Sequence, residues 1–283
     1  MTQDKRVWLV TGCSSGFGRA ISEHLLREGH KVAVTARKID VLADLAELGE
    51  ALLLPLDVVD PEQCNKAVAD TIGHFGRIDV LVNNAGIGYF AAVEETDETH
   101  ARQLMDVNFF GAANMIHAVL PGMRRRRSGA IVNLTSIGGL AGFTAVGYYT
   151  ASKFALEGLS ETLRAEVEPL GIRVMTVEPS GFRTAWAGSS NETQAPIADY
   201  ARTAGAAREA YHQSVGRQAG DPARAAAAIH DAILSANPPH RLLLGNEAFD
   251  VATAKIAQMK TEFEAWEQVA RGADFPAAER DGA

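Results

Sequence analysis

A short β-forming run, Arg6 to Thr11, passes straight into Gly12-Cys13-Ser14-Ser15-Gly16-Phe17-Gly18 and then into an amphipathic stretch, Arg19 to Glu28, stopped by Gly29. Few folds accept strand, glycine-rich turn and helix in immediate succession. Glycines let the backbone turn tightly and approach a pyrophosphate, and the following helix N-terminus offers free N–H groups and positive potential. The same alternation continues. Lys31 to Ala36 reads as a strand, Ile39 to Leu48 as a helix, Ala51 to Leu56 as a strand ending at Asp57, and Pro61 opens a helix running to about Phe75. Val80 to Val82, Ala130 to Leu134 and Ile172 to Val177 are further short apolar runs. A helical region from Asp97 to about Arg126 is expected to kink or break at Pro121, and another helix spans about Tyr148 to Pro169. This order predicts right-handed βαβ units, hence a doubly wound parallel sheet of Rossmann type with helices on both faces.

The last third is less regular. From residue 185 to 220 it is rich in Ala, Ser and Gly with isolated aromatics, which suggests a substrate lid. From 221 to 283 it predicts a helical extension with a short strand at Arg241 to Leu244. Val251, Ile256, Met259, Phe263 and Trp266 recur at helical spacing and are read as core or subunit-interface positions. The whole, 1–283, is expected to form one NAD(P)-binding domain.

The net charge of −8 gives no support to nucleic-acid binding, and Arg124 to Arg127 reads as a solvated helix end. Cys13 and Cys64 fit neither a disulfide framework nor a metal site. No apolar run approaches membrane-spanning length, and a cytoplasmic location without signal peptide is expected. Of the eight histidines, His24, His30, His74 and His100 are read as surface residues.

Chemistry is suggested by Tyr149 and Lys153, four residues apart and so on one helix face. A free phenol titrates near 10, and a nearby ammonium favours the phenolate. Such a pair can serve as general acid and base at a carbonyl oxygen. Ser136, ending a strand, can donate a hydrogen bond to that oxygen. At the end of the second strand, where an acid would bind the ribose hydroxyl of NAD, the chain has Arg37 and Lys38. A guanidinium suits the 2′-phosphate of NADP, so NADP is preferred, with NAD still possible.

Together these segments resemble the short-chain dehydrogenase/reductase family, over roughly residues 5 to 185. The resemblance carries Thr11 to Gly18 onto the family's cofactor loop, so that Gly12, Ser14, Ser15, Gly16, Phe17 and Gly18 are candidate cofactor contacts. Asp57 falls at its adenine-contacting acid, and Asn83-Asn84-Ala85-Gly86 matches its Asn-Asn-Ala-Gly motif, adding Asn83, Asn84 and Gly86. Asn108, Ser136, Tyr149 and Lys153 match the catalytic tetrad, the asparagine holding a water in a relay to the lysine. Pro179, Phe182 and Thr184 stand where the family meets the nicotinamide end and Tyr149 and Lys153 meet its ribose, although Ser180 replaces the usual Gly after Pro179. The implied activity is hydride transfer between NADP(H) and an alcohol, ketone or aldehyde. Candidate pocket residues Tyr89, Phe90, Leu140, Phe143, Val146 and Trp186 are apolar or aromatic, which points to a small hydrophobic substrate. A symmetric homo-oligomer, a dimer above all, is implied. A catalytically silent NADP-binding sensor or scaffold, or an epimerase/dehydratase-type relative, remains an alternative.

Overall fold

The computed structural model describes residues 5–275. The first strand β1 (Val7–Val10) is wholly buried, and its side chains alternate between the two faces of a sheet. Trp8 and Val10 join a core with Ile21, Leu25, Val34, Leu42 and Ile229, whereas Leu9 joins a second core with Leu81, Met115, Val119, Ile131 and Leu163. Each such fully buried side chain contributes about 1.5–3 kcal/mol. Two apolar layers therefore sandwich one sheet.

That sheet is parallel throughout. Its strands are β1, β2 (Lys31–Ala36), β3 (Ala51–Pro55), β4 (Val80–Asn83), β6 (Gly129–Leu134), β7 (Ile172–Pro179) and β9 (Arg241–Leu244), in the order β3-β2-β1-β4-β6-β7-β9. Two-residue strands β5 (Tyr89–Phe90) and β8 (Asn191–Glu192) pair separately. The order reverses between β1 and β4, and the carboxyl ends of those strands form the crevice where such folds take ligands.

Helices α1 (Gly16–Arg27), α2 (Pro61–Phe75), α3 (Glu98–Met105), α4 (Gly111–Arg126) and α5 (Gly147–Val167) connect the strands. Capping explains several boundaries. Asp60 accepts from the amides of Glu62 at 2.9 Å and Gln63 at 3.2 Å, Pro61 follows, and Gly76 closes α2 at φ +89°. Beyond β7 the chain forms α6 (Trp186–Ser189), α7 (Ala206–Ser214), α8 (Pro222–Leu234), α9 (Asn246–Ala265) and α10 (Glu267–Arg271). Among the described residues no helix is long and apolar enough to cross a membrane.

Four expectations change. Pro121 lies inside an unbroken α4, where helix interruption was expected; the irregularity is a π turn at Asp106–Phe110. The stretch Ile39–Glu47 is 3-10 rather than α-helical. Ile256, Phe263 and Trp266 are 64–68% exposed, so they are not core. His30 is buried, not a surface residue.

Its burial has a purpose in packing. The amide of Arg6 donates to His30 Nδ1 at 3.2 Å, which leaves the proton on Nε2. That nitrogen lies 2.9 Å from His230 Nε2, and His230 Nδ1 lies 3.3 Å from His24 Nε2. The three rings form a chain linking α1, the turn before β2 and α8. Burial, reinforced by His230, pushes His30 down to about 4. Neutral His30 is the native form, so its contribution is complete above about pH 6.5 and is lost as pH falls toward 4. Urea titrations at pH 7 and pH 4.5 should show a loss of up to about 3 kcal/mol, and His30→Gln should flatten the slope.

Candidate active site

The loop after β1 is shaped by its glycines. Gly12 and Gly16 have φ of +71° and +59°, and a side chain on Gly18 would meet Asn84 Nδ2 and Gly12 O at 2.3 Å. Ser14 and Ser15 are exposed, and no side chain caps the first turn of α1, which also carries no acid. Its amides are free for an anion. Thr184 lies 3.5 Å from where a Gly16 Cβ would stand, and Phe182 packs on Phe17 with ring centroids 5.0 Å apart. The turn after β7 therefore faces the turn after β1 at the carboxyl ends of the strands, beside the cleft between β1 and β4. Arg37 is exposed at the end of β2, and Asp57 is half-buried just beyond β3.

Asn83 and Asn84 hold that cleft open from within. Asn83 Nδ2 donates to Asn133 Oδ1 at 2.9 Å. Asn84 Nδ2 donates to Thr11 O at 2.8 Å and Gly12 O at 3.0 Å, while Thr11 Oγ1 accepts from the amides of Asn84 and Ala85. These side chains are committed inside the protein.

Tyr149 and Lys153 lie on α5, with Ser136 just beyond β6. Lys153 is 5% exposed; its Nζ donates to Leu134 O at 2.8 Å and stands 5.7 Å from the Tyr149 ring centre. A Cβ on Gly138 would lie 3.3 Å from Ser136 Oγ and 3.6 Å from Tyr149 Cε1, so the serine and the tyrosine share one wall. A Cβ on Gly86 would lie 3.2 Å from Asn108 Oδ1 and 3.7 Å from Lys153 Nζ. Gly86 thus brings the Asn-Asn-Ala-Gly turn against the tetrad.

The π turn aims Asn108 inward. Its Oδ1 accepts from the Ile87 amide at 2.8 Å, and its Nδ2 donates to Ile87 O and to Ser152 Oγ, both at 3.0 Å. Ser152 in turn donates to Tyr149 O at 2.6 Å. Asn108 is therefore a brace between the Ile87 loop and α5, and any water it held would sit on its backbone. Ser152 went unnoticed in the sequence, although its place three residues after Tyr149 puts it within reach of that carbonyl.

Electrostatics alter one expectation. Burial pushes the Tyr149 phenol up to about 12, against the opposing pull of the Ser136 hydroxyl. Burial also pushes Lys153 down to about 8, with Glu157 pulling it upward. Desolvation of the phenolate outweighs the Ser136 hydrogen bond, so Tyr149 is a neutral proton donor. Beneath the pair lie two buried carboxylates absent from the sequence reading. Glu157, one turn past Lys153, accepts from Thr135 Oγ1 at 2.5 Å, and Glu178 accepts from Thr176 Oγ1 at 2.6 Å. Burial, then the Glu157 charge, pushes Glu178 up to about 8, and Arg241 Nε lies 3.4 Å from Glu157 Oε2.

Above Tyr149 the wall is aromatic. Trp186 packs on Tyr149 at 4.9 Å and on Phe90 at 5.4 Å, Phe90 stacks on Tyr211 at 4.9 Å, and Val146 and Phe143 join them. Tyr89 and Leu140 belong elsewhere. Successive residues of β5 face opposite sides, so Tyr89 stacks on His100 while Phe90 meets Trp186, and Leu140 packs against α9. Tyr211 is the wall residue missed in the sequence.

The short chain dehydrogenase family model matches residues 6–195. The chain belongs to the short-chain dehydrogenase/reductase family. It is an NAD(P)-dependent oxidoreductase of that family, and the match spans both the cofactor loop and the tetrad. A short-chain dehydrogenase from Streptomyces avermitilis is 44% identical, with a TM-score of 0.90 over 97% of this chain and 100% of that one. The 3-ketodihydrosphingosine reductase of Bacteroides thetaiotaomicron is 38% identical over 85% of this chain and 88% of its own. A short-chain dehydrogenase from Burkholderia cenocepacia, solved in complex with NADP, is 26% identical, with a TM-score of 0.74 over 94% of this chain and 98% of that one. Among the described residues no group of His, Cys, Asp and Glu could hold a metal ion.

Proposed function

We propose that this short-chain dehydrogenase/reductase reduces a hydrophobic ketone or aldehyde with NADPH, or oxidises the corresponding alcohol with NADP, and that Tyr149 is its general acid and base. The observation that carries this reading is the neutral Tyr149 phenol set beside Lys153 and Ser136 beneath the Trp186–Phe90–Tyr211 wall. When bound, the nicotinamide cofactor supplies or accepts the hydride. Ser136 donates a hydrogen bond to the substrate oxygen as negative charge grows there. Tyr149 passes its proton to that oxygen in reduction and takes it back in oxidation. Lys153 spends one donor on Leu134 O and keeps two for the ribose hydroxyls.

The segment 185–220 acts as the lid, since Trp186 and Tyr211 close over the tyrosine from that segment. The apolar wall, and the lipid-like substrate named for the Bacteroides relative, favour long-chain carbonyl compounds. Initial rates with NADPH or NADH on a panel from 2-decanone to dihydroxyacetone test this. Apolar ketones should lead with NADPH; a lead for the polar compounds would overturn the substrate class.

The cofactor preference has its own test. Arg37→Ala should raise the KM for NADPH by about 10–100-fold, the value of one charged hydrogen bond, and leave that for NADH unchanged. Equal effects on both cofactors would remove Arg37 from the 2′-phosphate.

A further inference from the structure

Among the described residues, α9 touches the rest of the molecule only at its start. Ala248 and Ala252 are buried with Ile137, and Val251 packs there with Leu140, Phe143 and Leu243. From Thr253 onward every residue of α9 and α10 is exposed except Lys255, which is partly covered. Thr253 to Ala265 is about 20 Å of helix standing clear of the sheet and its layers. A helix of that length has little stability of its own in water, and most helices in proteins depend on packing along an apolar face.

Such a face is present and, among the described residues, unpartnered. Ile256 is 68% exposed, Phe263 64% and Trp266 66%, with Met259 at 37%. Ala252, Ile256, Met259, Phe263 and Trp266 are spaced four, three, four and three residues apart. Within α9 that is a heptad seam as far as Phe263, narrow and suited to one other helix, and Trp266 follows it at the break between α9 and α10. The flanking positions carry Lys255 and Lys260 in the first half and Glu262 and Glu267 in the second.

These charges select the occupant. In a parallel in-register pair Lys255 would face Lys260 of the second copy, and Glu262 would face Glu267, like against like. In an antiparallel pair lysines meet glutamates: Lys255 with Glu262, or Lys260 with Glu267, according to the register. Helices that lie on lipid have a polar face rich in Lys and Arg. Here Glu262, Glu264 and Glu267 balance Lys255, Lys260 and Arg271, in a chain of net charge −8.

We propose that α9 is an interaction surface for a second copy of this chain, joined by antiparallel pairing of the Ile256–Met259–Phe263–Trp266 stripe about a two-fold axis. The contact is isologous, each helix giving and receiving the same residues.

The test is the mass of the full chain by light scattering, wild type against Ile256→Glu/Phe263→Glu. Both side chains are exposed and lie outside the active site, so the variant should keep the wild-type turnover, with a loss of circular dichroism no larger than the helicity of Thr253 to Ala265. Its mass should fall by half. A second variant, Glu262→Lys/Glu267→Lys, should weaken association by about tenfold or more, and the further exchange Lys255→Glu/Lys260→Glu should restore it. Unchanged mass in the first variant overturns the proposal. So does unchanged association in the second, which would leave a parallel pair. Co-sedimentation of the wild type with phosphatidylcholine/phosphatidylglycerol vesicles, lost in Ile256→Glu/Phe263→Glu without any change of mass, also overturns it and assigns the stripe to lipid.

Discussion

Tyr149→Phe should lower kcat by about 10²–10⁴-fold while leaving NADPH binding and the melting temperature near wild type. The substitution removes one oxygen and keeps the ring, so the contact with Trp186 at 4.9 Å survives. No protein hydrogen bond that holds the fold is lost, because the anchoring bond in this part of α5 is Ser152 Oγ to the Tyr149 carbonyl. The phenol, held neutral by burial with a pKa pushed up to about 12, keeps its proton across the whole physiological range, as the proposed role of proton donor in reduction requires. Single-turnover absorbance at the nicotinamide band, with a parallel NADPH titration, measures the two effects separately. A variant within about tenfold of wild type would mean that the proton reaches the substrate from elsewhere. Lys153 adds a pH signature. Its ammonium, pushed down to about 8, is present below that pH and lost above it, so cofactor affinity should decline as pH rises through 8.

Gly18→Ala should do the most damage of any single methyl group in the chain. The new Cβ would stand 2.3 Å from both Asn84 Nδ2 and Gly12 O, and neither is the end of a flexible side chain free to swing away. Asn84 is fixed by its bonds to Thr11 O and Gly12 O, so relief requires breaking them or shifting the loop. Overpacking and one or two lost hydrogen bonds together amount to about 2–4 kcal/mol. NADPH binding should be lost as well, since the free amides at the start of α1 move with the loop. Gly73→Ala is the matched control. It lies within α2 with nothing near its Cβ position, and should stabilise by about 0.5–1 kcal/mol. Thermal melts of the two variants, with and without NADPH, separate loop geometry from a general effect of replacing glycine. Equal melting temperatures for the two would show that the Gly12–Asn84 contact is not tight.

Much of this architecture could be read before any coordinates. Strand and helix alternate with the right punctuation, and the caps at Asp60-Pro61 and Asp221-Pro222 are local chemistry that tertiary packing has no reason to override. Ser136 and Gly86 follow the ends of β6 and β4, and Tyr149 and Lys153, one turn apart near the start of α5, lie against them. Features set by long-range geometry were hidden. Burial of His30 depends on His230, 200 residues away. The commitment of the Asn83 and Asn84 side chains depends on Asn133 and Thr11, which no spacing links to them. Pro121 was expected to interrupt its helix because a proline ring crowds the preceding turn. It lies well within α4 (Gly111–Arg126), and the irregular turn of the region is the π turn at Asp106–Phe110. The direction of the Tyr149 shift was missed because desolvation is a property of the surroundings and not of the Tyr–Lys spacing.

That π turn also constrains how the gene can change. It holds one residue more than an α turn over the same stretch of axis. Loss of a single codon within 106–110 would let the backbone close as plain α-helix, keeping the residues beyond it in phase while moving those within the turn. Asn108 would then leave Ile87 and Ser152, and the brace on α5 would vanish although every catalytic side chain was still encoded. At this point the lineage is free to exchange letters and not to alter their number.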